Sequence, residues 1–341
     1  MTEKVIFMQA WLHHVKRLIP TSLKEKPFVK LTNFVEILAV YSIAKTGRRS
    51  DECLALGCLP MLVHYYTPIP DIEDLKLRDV WSKRTDMTGL DFRPQTQKEL
   101  LLELGRKYGA ECNWQPHQTD NPREFYTENN RFSFGCAAST HLMVRHFKPK
   151  RIIEIGSGFS SRVLSAAVMK NRQETGEKIN YTIIDPYPGK IVTNGLPGVS
   201  ELIPKRVELL PNSFADELVE GDILFIDSGH CVRIGSDINF LILDVVPRLA
   251  PGVLVHFHDI PMPFEYPRSY ATNPAFRQFW TESYLLQAFL SFNNQFEILL
   301  AMRWIMADMM DQFKEAFPHY RPEVHKQGSG RFWIRRTLNS K

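Results

Sequence analysis

The sequence predicts an α/β protein: a mostly parallel sheet with helices on both faces, preceded by a mainly helical N-terminal region. Three observations carry this. From residue 151 onward, apolar runs of strand length alternate about five times with longer helical stretches. Before about residue 115 that alternation is absent, and the clearest patterns are helical. Glycines, acids and histidines gather just after the apolar runs, where such a sheet binds its ligands.

In chain order, FVEILAVYSIA (34–44) reads as a buried helix, and prolines at 60, 68 and 70 make the next stretch partly loop. PQTQKELLLELGRKYG (94–109) reads as a helix opened by a Thr96–Glu99 capping box, with Leu101, Leu104 and Tyr108 on one face. Residues 115–130 are polar and irregular, as expected of a linker. CAASTHLMVRHF is the next helix. RIIEIG (151–156) is the first strand, SSRVLSAAVMK (160–170) its helix and INYTIID (179–185) the second strand. KRVELL (205–210) is expected as the third strand, DILFID (222–227) as the fourth, followed by a helix over 238–249. GVLVHFHDI (252–260) is the fifth. A long helix is expected over 273–292, opened by Asn273 and Pro274, with two late strands at 296–305 and 330–337.

Composition excludes several classes. With 42 basic and 38 acidic residues, the net charge of +4 gives no footprint for nucleic acid. The excess lies mostly in residues 321–341. Five cysteines, an odd count with no framework spacing, suggest a reducing compartment. No secretory leader and no run of 18 apolar residues is expected, so the cytoplasm is the default and no membrane span is predicted.

The turn after the first strand is the first candidate site. Gly156 and Gly158 lack side chains, so a ligand can approach the backbone, and the following helix offers unpaired amides. A dinucleotide fingerprint wants a third glycine where Ser161 stands. Glu154 lies inside an otherwise apolar strand end and needs a partner or a cationic or hydroxyl-bearing ligand. S-adenosylmethionine carries an ammonium and ribose hydroxyls and no pyrophosphate. Asp185, at the end of the second strand, can accept from ribose hydroxyls of NAD or S-adenosylmethionine alike. Asn212, after the expected third strand, is placed to meet an adenine edge.

The second candidate is polar. Asp227 and His230 follow the fourth strand, and His256, His258 and Asp259 end the fifth. Alternation puts His256 and His258 on one face. Either histidine can be a general base, oriented by Asp227 or Asp259. Alternatively Asp227, His258 and Asp259 bind a divalent ion, magnesium or manganese, that would acidify a chelated hydroxyl. The proline-rich loop 261–274 follows, with Glu265 and Arg268 facing a polar substrate. Trp280 and Tyr284, one turn apart on the expected helix, are read as packing.

EIGSG (154–158), the acid at 185 and LFIDSGH (224–230) resemble the class I S-adenosylmethionine-dependent methyltransferases. VHFHDIPMPFEYP (255–267) resembles one bacterial subgroup with a histidine-rich fifth strand, and YYTPIPD (65–71) a segment ahead of its domain. The resemblance covers about residues 130–337. It implies a Rossmann-like, seven-stranded sheet with an antiparallel last strand supplied by GRFWIRRT. It also implies a domain over 126–341 behind an accessory region over 1–125. Glu154, Gly156 and Gly158 would cradle the methionine part and Asp185 the ribose. Asp227 would serve the cofactor and the chemistry together. Metal-dependent O-methyltransferases of this class place acidic or amide ligands after strands four and five. Asp227 matches the first; His258 and Asp259 fall where an aspartate–asparagine pair is usual. The expected function is methylation of a small-molecule or saccharide hydroxyl. The alternatives are a nicotinamide-dependent oxidoreductase, a metal-dependent hydrolase and a non-catalytic glycan- or protein-binding module.

Overall fold

The computed structural model describes residues 27–275, 277–325 and 330–338, with side chains from residue 35. The chain divides into two compact units between Arg78 and Asp79. The first holds helices α1 (Pro27–Thr46), α2 (Ser50–Ala55) and α3 (Ile72–Leu77), the last capped by the Asp71 carboxylate. Residues 58–71, between α2 and α3, are irregular, as the three prolines require. No described side chain of this unit is buried. Among the described residues no helix is long and apolar enough to cross a membrane.

The second unit is built on seven strands: β1 (Arg151–Ile155), β2 (Asn180–Ile184), β3 (Val199–Ile203), β4 (Ile223–Ile226), β5 (Leu254–Phe257), β6 (Phe296–Ala301) and β7 (Phe332–Arg336). Their order across the sheet is β3-β2-β1-β4-β5-β7-β6. β1 to β5 run parallel, and β7 lies antiparallel between β5 and β6. This is the expected Rossmann-like sheet with its antiparallel last strand. β1, β2, β4 and β5 are apolar because helices cover both faces of the sheet. The reversal of strand order beside β1 places a ligand crevice over the carboxyl ends of β1, β2 and β4.

Residues 79–125, grouped with the N-terminal region by pattern, fall within the second unit. Helix α4 (Pro94–Tyr108) packs against β6 and α12 (Met310–Ala316), a helix the sequence did not announce. Pro94 opens α4 after Arg93, and Thr96 lies inside the first turn, so the expected capping box does not form. Gln97 is buried instead and accepts the Ala301 N–H at 2.7 Å, tying α4 to the end of β6. Gly105 lets the two helices touch: a Cβ there would lie 2.5 Å from Ala316 Cα. Gly105→Val is therefore expected to destabilise the protein by about 3 kcal/mol, checked by chemical unfolding.

The expected linker over 115–130 is irregular, yet Phe125 and Thr127 are buried, and Trp114, Phe125 and Phe132 meet edge to face. It is followed by α5 (Phe134–Phe147), capped by Ser133, and α6 (Phe159–Thr175) follows β1. A short helix, α7 (Lys190–Thr193), precedes β3. The third strand lies at 199–203, not 205–210. As an edge strand it is only half-buried and shows no apolar run, and Pro204 ends it. The crossover after β4 starts as α8 (Asp237–Asn239) and continues with π and 3₁₀ turns to Arg248.

Of the long helix expected over 273–292, only α10 (Glu282–Leu290) is helical among the described residues; a short helix, α9 (Arg268–Thr272), ends just before that range. Asn273 is extended because Pro274 disfavours a helical residue before it. Further on, the Thr281 and Glu282 N–H groups turn to the His230 carbonyl, at 2.9 and 3.1 Å. The apolar run 296–305 splits into β6 and helix α11 (Met302–Asp308).

Candidate active site

The turn after β1 is pinned from both sides. Gly156 has φ 80° and donates to the Ile184 carbonyl of β2 at 2.9 Å. A Cβ at Gly156 would lie 1.9 Å from the Asp227 carbonyl oxygen at the end of β4. Only glycine fits both the left-handed backbone and that approach. Gly158 opens α6, and its N–H is accepted by Ser161 Oγ at 3.0 Å. The residue standing where a dinucleotide site wants glycine is thus buried and employed in the turn.

Asp185 is fixed by three donors. Ser157 N–H and Oγ–H reach one oxygen at 2.8 and 2.6 Å, and Tyr187 N–H reaches the other at 2.7 Å. A carboxylate has about four acceptor positions, so it keeps capacity for a ligand hydroxyl. It lines a cleft of about 560 Å³ together with Gly156, Ser157, Asp227, Arg206 and Arg233.

Two expected cofactor contacts lie elsewhere. Glu154 is fully buried and does not line the cleft; its carboxylate accepts from Ser160 Oγ at 2.7 Å and from the Tyr181 hydroxyl. It braces β1 and α6 from beneath. Asn212 is exposed and off the cleft, because the early end of β3 brings Arg206, Val207 and Glu208 to the position assigned to it.

Burial pushes the Glu154 carboxyl up to about 7, with the neighbouring hydroxyls pulling it back. A folded value above the unfolded one means the native state binds the extra proton. This contribution is fully present below about pH 4.5 and is lost as pH rises through 7. Glu154→Gln is expected to remove a stability loss of about 3 kcal/mol between those limits, measured as unfolding free energy against pH.

The polar cluster forms a row in which carboxyl groups alternate with imidazoles. Asp227 Oδ1 lies 2.6 Å from His258 Nδ1 and 3.5 Å from His230 Nε2. His230 Nδ1 lies 2.7 Å from Glu282, and His258 Nε2 lies 3.2 Å from Asp259 Oδ1. The row reads Glu282, His230, Asp227, His258, Asp259. Burial opposes charge on both imidazoles, but the flanking carboxylates win. They push His230 up to about 10 and His258 well above its ordinary value. Burial likewise resists ionisation of Asp227, yet His258 and His230 hold it well below the usual carboxylate range. The flanking carboxylates thus favour the protonated form of His258, whose Nδ1 is turned to Asp227.

Sequence reasoning found His230 in DSGH, but Glu282 lies 52 residues away and gave no signal. Trp280 is not on the helix with Tyr284; its ring lies 4.2 Å from that of His230, above the cluster. His256 plays no part at the cleft. It is fully buried and stacked on Phe225 at 3.8 Å, and burial holds it neutral.

The donor atoms of Asp227, His230 and His258 lie within 4.8 Å of one another, so a divalent ion fits these three. This trio takes His230 in place of the expected Asp259, which instead lines a second cavity of about 350 Å³. Two imidazoles and one carboxylate favour manganese over magnesium.

A family model described as a methyltransferase domain matches residues 153–260. An uncharacterized protein of Archaeoglobus fulgidus is 31% identical over 167 residues, which cover 47% of this chain and 74% of that protein. The chain belongs to the methyltransferase-domain family. The match is to this general family, and the relative is archaeal; the bacterial subgroup expected from the fifth strand is not what they single out.

Proposed function

We propose that the chain is an S-adenosylmethionine-dependent methyltransferase acting on a hydroxyl of a small molecule or saccharide. One observation carries this reading. A cleft floored by a glycine turn and the spare acceptor capacity of Asp185 shares the half-buried Asp227 with a carboxylate–imidazole row whose imidazoles are buried. A nucleoside site and a proton-handling site meet at one residue. None of the five cysteines is joined in a disulfide, in keeping with the reducing compartment proposed for it.

When bound, S-adenosylmethionine supplies an electrophilic methyl whose sulfonium leaves as a neutral thioether. The protein's task is alignment and removal of one proton. Gly156 and Ser157 leave the backbone open to the ligand, and Asp185 accepts from its ribose. An acceptor hydroxyl becomes strongly acidic as its oxygen is alkylated. A carboxylate as weakly basic as Asp227 then suffices to take the proton. Asp227 Oδ1 is occupied by both imidazoles, while no hydrogen bond from the described residues reaches Oδ2. Oδ2 is the assigned proton acceptor, and His258 and His230 hold it in place. A manganese or magnesium ion on Asp227, His230 and His258 would replace the two imidazole protons and acidify a bound hydroxyl.

The test is methyl transfer from radiolabelled S-adenosylmethionine to polyhydroxylated small molecules and saccharides, with and without manganese. The reading expects base-stable O-methyl ethers and their loss in Asp227→Asn. Label appearing only on amines would overturn the hydroxyl assignment.

A further inference from the structure

We propose that the second cavity is the acceptor subsite and that it takes a hydroxylated ring bearing an oxyanion, either carboxylate or phosphate. This rests on the methyltransferase reading above and goes beyond it in assigning charge to the acceptor. The cavity touches the carboxyl–imidazole row at one point, Asp259, which contacts the far nitrogen of His258. One imidazole therefore links it to Asp227 in the first cleft.

The walls of the cavity are aromatic and charged. Trp81, Phe264, Tyr266 and Tyr270 line it, giving it the aromatic character that sugar and aromatic rings pack against. Two acids and two arginines also line it, and they differ in what they already hold. Asp259 faces His258, and Glu265 accepts from the Tyr284 hydroxyl and the Tyr266 N–H. Arg268 and Arg303 have no carboxylate within ion-pair reach among the described residues. Each is stacked on an aromatic ring, Arg268 at 5.3 Å from the Trp81 centroid and Arg303 at 4.9 Å from that of Phe264. Stacking orients a guanidinium and leaves its N–H donors available. The nearby Asp308 pairs with Arg84 instead.

Arg331 adds to the imbalance. It follows Gly330, which lines the cavity, and is fully buried with its guanidinium 4.0 Å from the Phe132 centroid. None of its three nitrogens has a hydrogen-bond partner among the described residues. A buried cation without a partner is costly, and an anion in the adjoining cavity offsets it. Planar carboxylate and tetrahedral phosphate both match the donor fork of arginine.

Glucuronate, glucose 6-phosphate and glucose form a matched set of probes for the full chain, titrated by calorimetry. The expected result is that at least one anionic probe binds about tenfold or more tighter than glucose. That preference should disappear in Arg268→Met/Arg303→Met and persist in part in the double lysine variant. The stronger of the two anionic probes identifies carboxylate or phosphate. Equal binding of all three, no binding of either anion, or a preference that survives the methionine variant overturns the proposal. S-adenosylhomocysteine is titrated into the same samples. Its failure to bind the wild type would sink the methyltransferase reading instead. Its unchanged binding to the double variant shows that the fold is intact.

Discussion

Gly156→Ala is expected to abolish binding of S-adenosyl ligands and to destabilise the fold by on the order of 3 kcal/mol. Two independent costs combine. The backbone is left-handed at φ 80°, where an L side chain is strained. The new methyl would also meet the Asp227 carbonyl at 1.9 Å, well inside contact distance. Relief requires β1 and β4 to separate at their ends. That shift would carry Ser157 away from Asp185 and Asp227 away from both imidazoles, since all are held by bonds of 2.6 to 3.5 Å. Ligand titration and chemical unfolding should therefore fail together. Normal affinity in a folded Gly156→Ala protein would show that the turn is not part of the site.

Asp227→Asn is expected to cost about 10²–10³ in methyl transfer and about 3–5 kcal/mol in stability. The substitution keeps the shape and removes the charge shared by two buried imidazoles. His230 retains Glu282 and His258 retains Asp259, so both values fall without reaching those of isolated groups. The pH dependence gives the signature. His230 has a folded value of about 10, above its ordinary 6.5. Its contribution is fully present below about pH 6.5 and is lost as pH rises through 10. Unfolding free energies at pH 6, 8 and 10 should fall steeply in the wild type and less in Asp227→Asn. Identical slopes would mean that the row is not coupled through Asp227.

The sequence made some of this legible and hid the rest for physical reasons. Strands covered on both faces are short apolar runs, so β1, β2, β4 and β5 could be read with the polar residues at their ends. β3 lies at the sheet edge, where half-burial erases that signal, and its misplacement carried Asn212 into the site and left out Arg206. Alternation correctly placed His256 and His258 on one face, but it says nothing of depth. His256 sits within β5 against Phe225 and Trp333, whereas His258 lies just past the strand end, beside Asp227. Glu154 was rightly expected to need a partner. The partners turned out to be Ser160 and Tyr181 and not a ligand. Glu282 became visible only in the structure, where residues 277–281 are not helical and the chain returns to His230 before α10 begins. The direction of the histidine charges also needed the structure, because it depends on how many carboxylates flank each ring.

The most direct test is calorimetric titration of the full chain with S-adenosylhomocysteine and, separately, with NAD, in wild type and Asp185→Ala. The expected result is micromolar binding of S-adenosylhomocysteine, no measurable binding of NAD, and roughly 10- to 100-fold weaker binding in Asp185→Ala. Preferential binding of NAD, or no S-adenosylhomocysteine binding by folded protein, would contradict the account and leave the carboxylate–imidazole row in need of a different substrate.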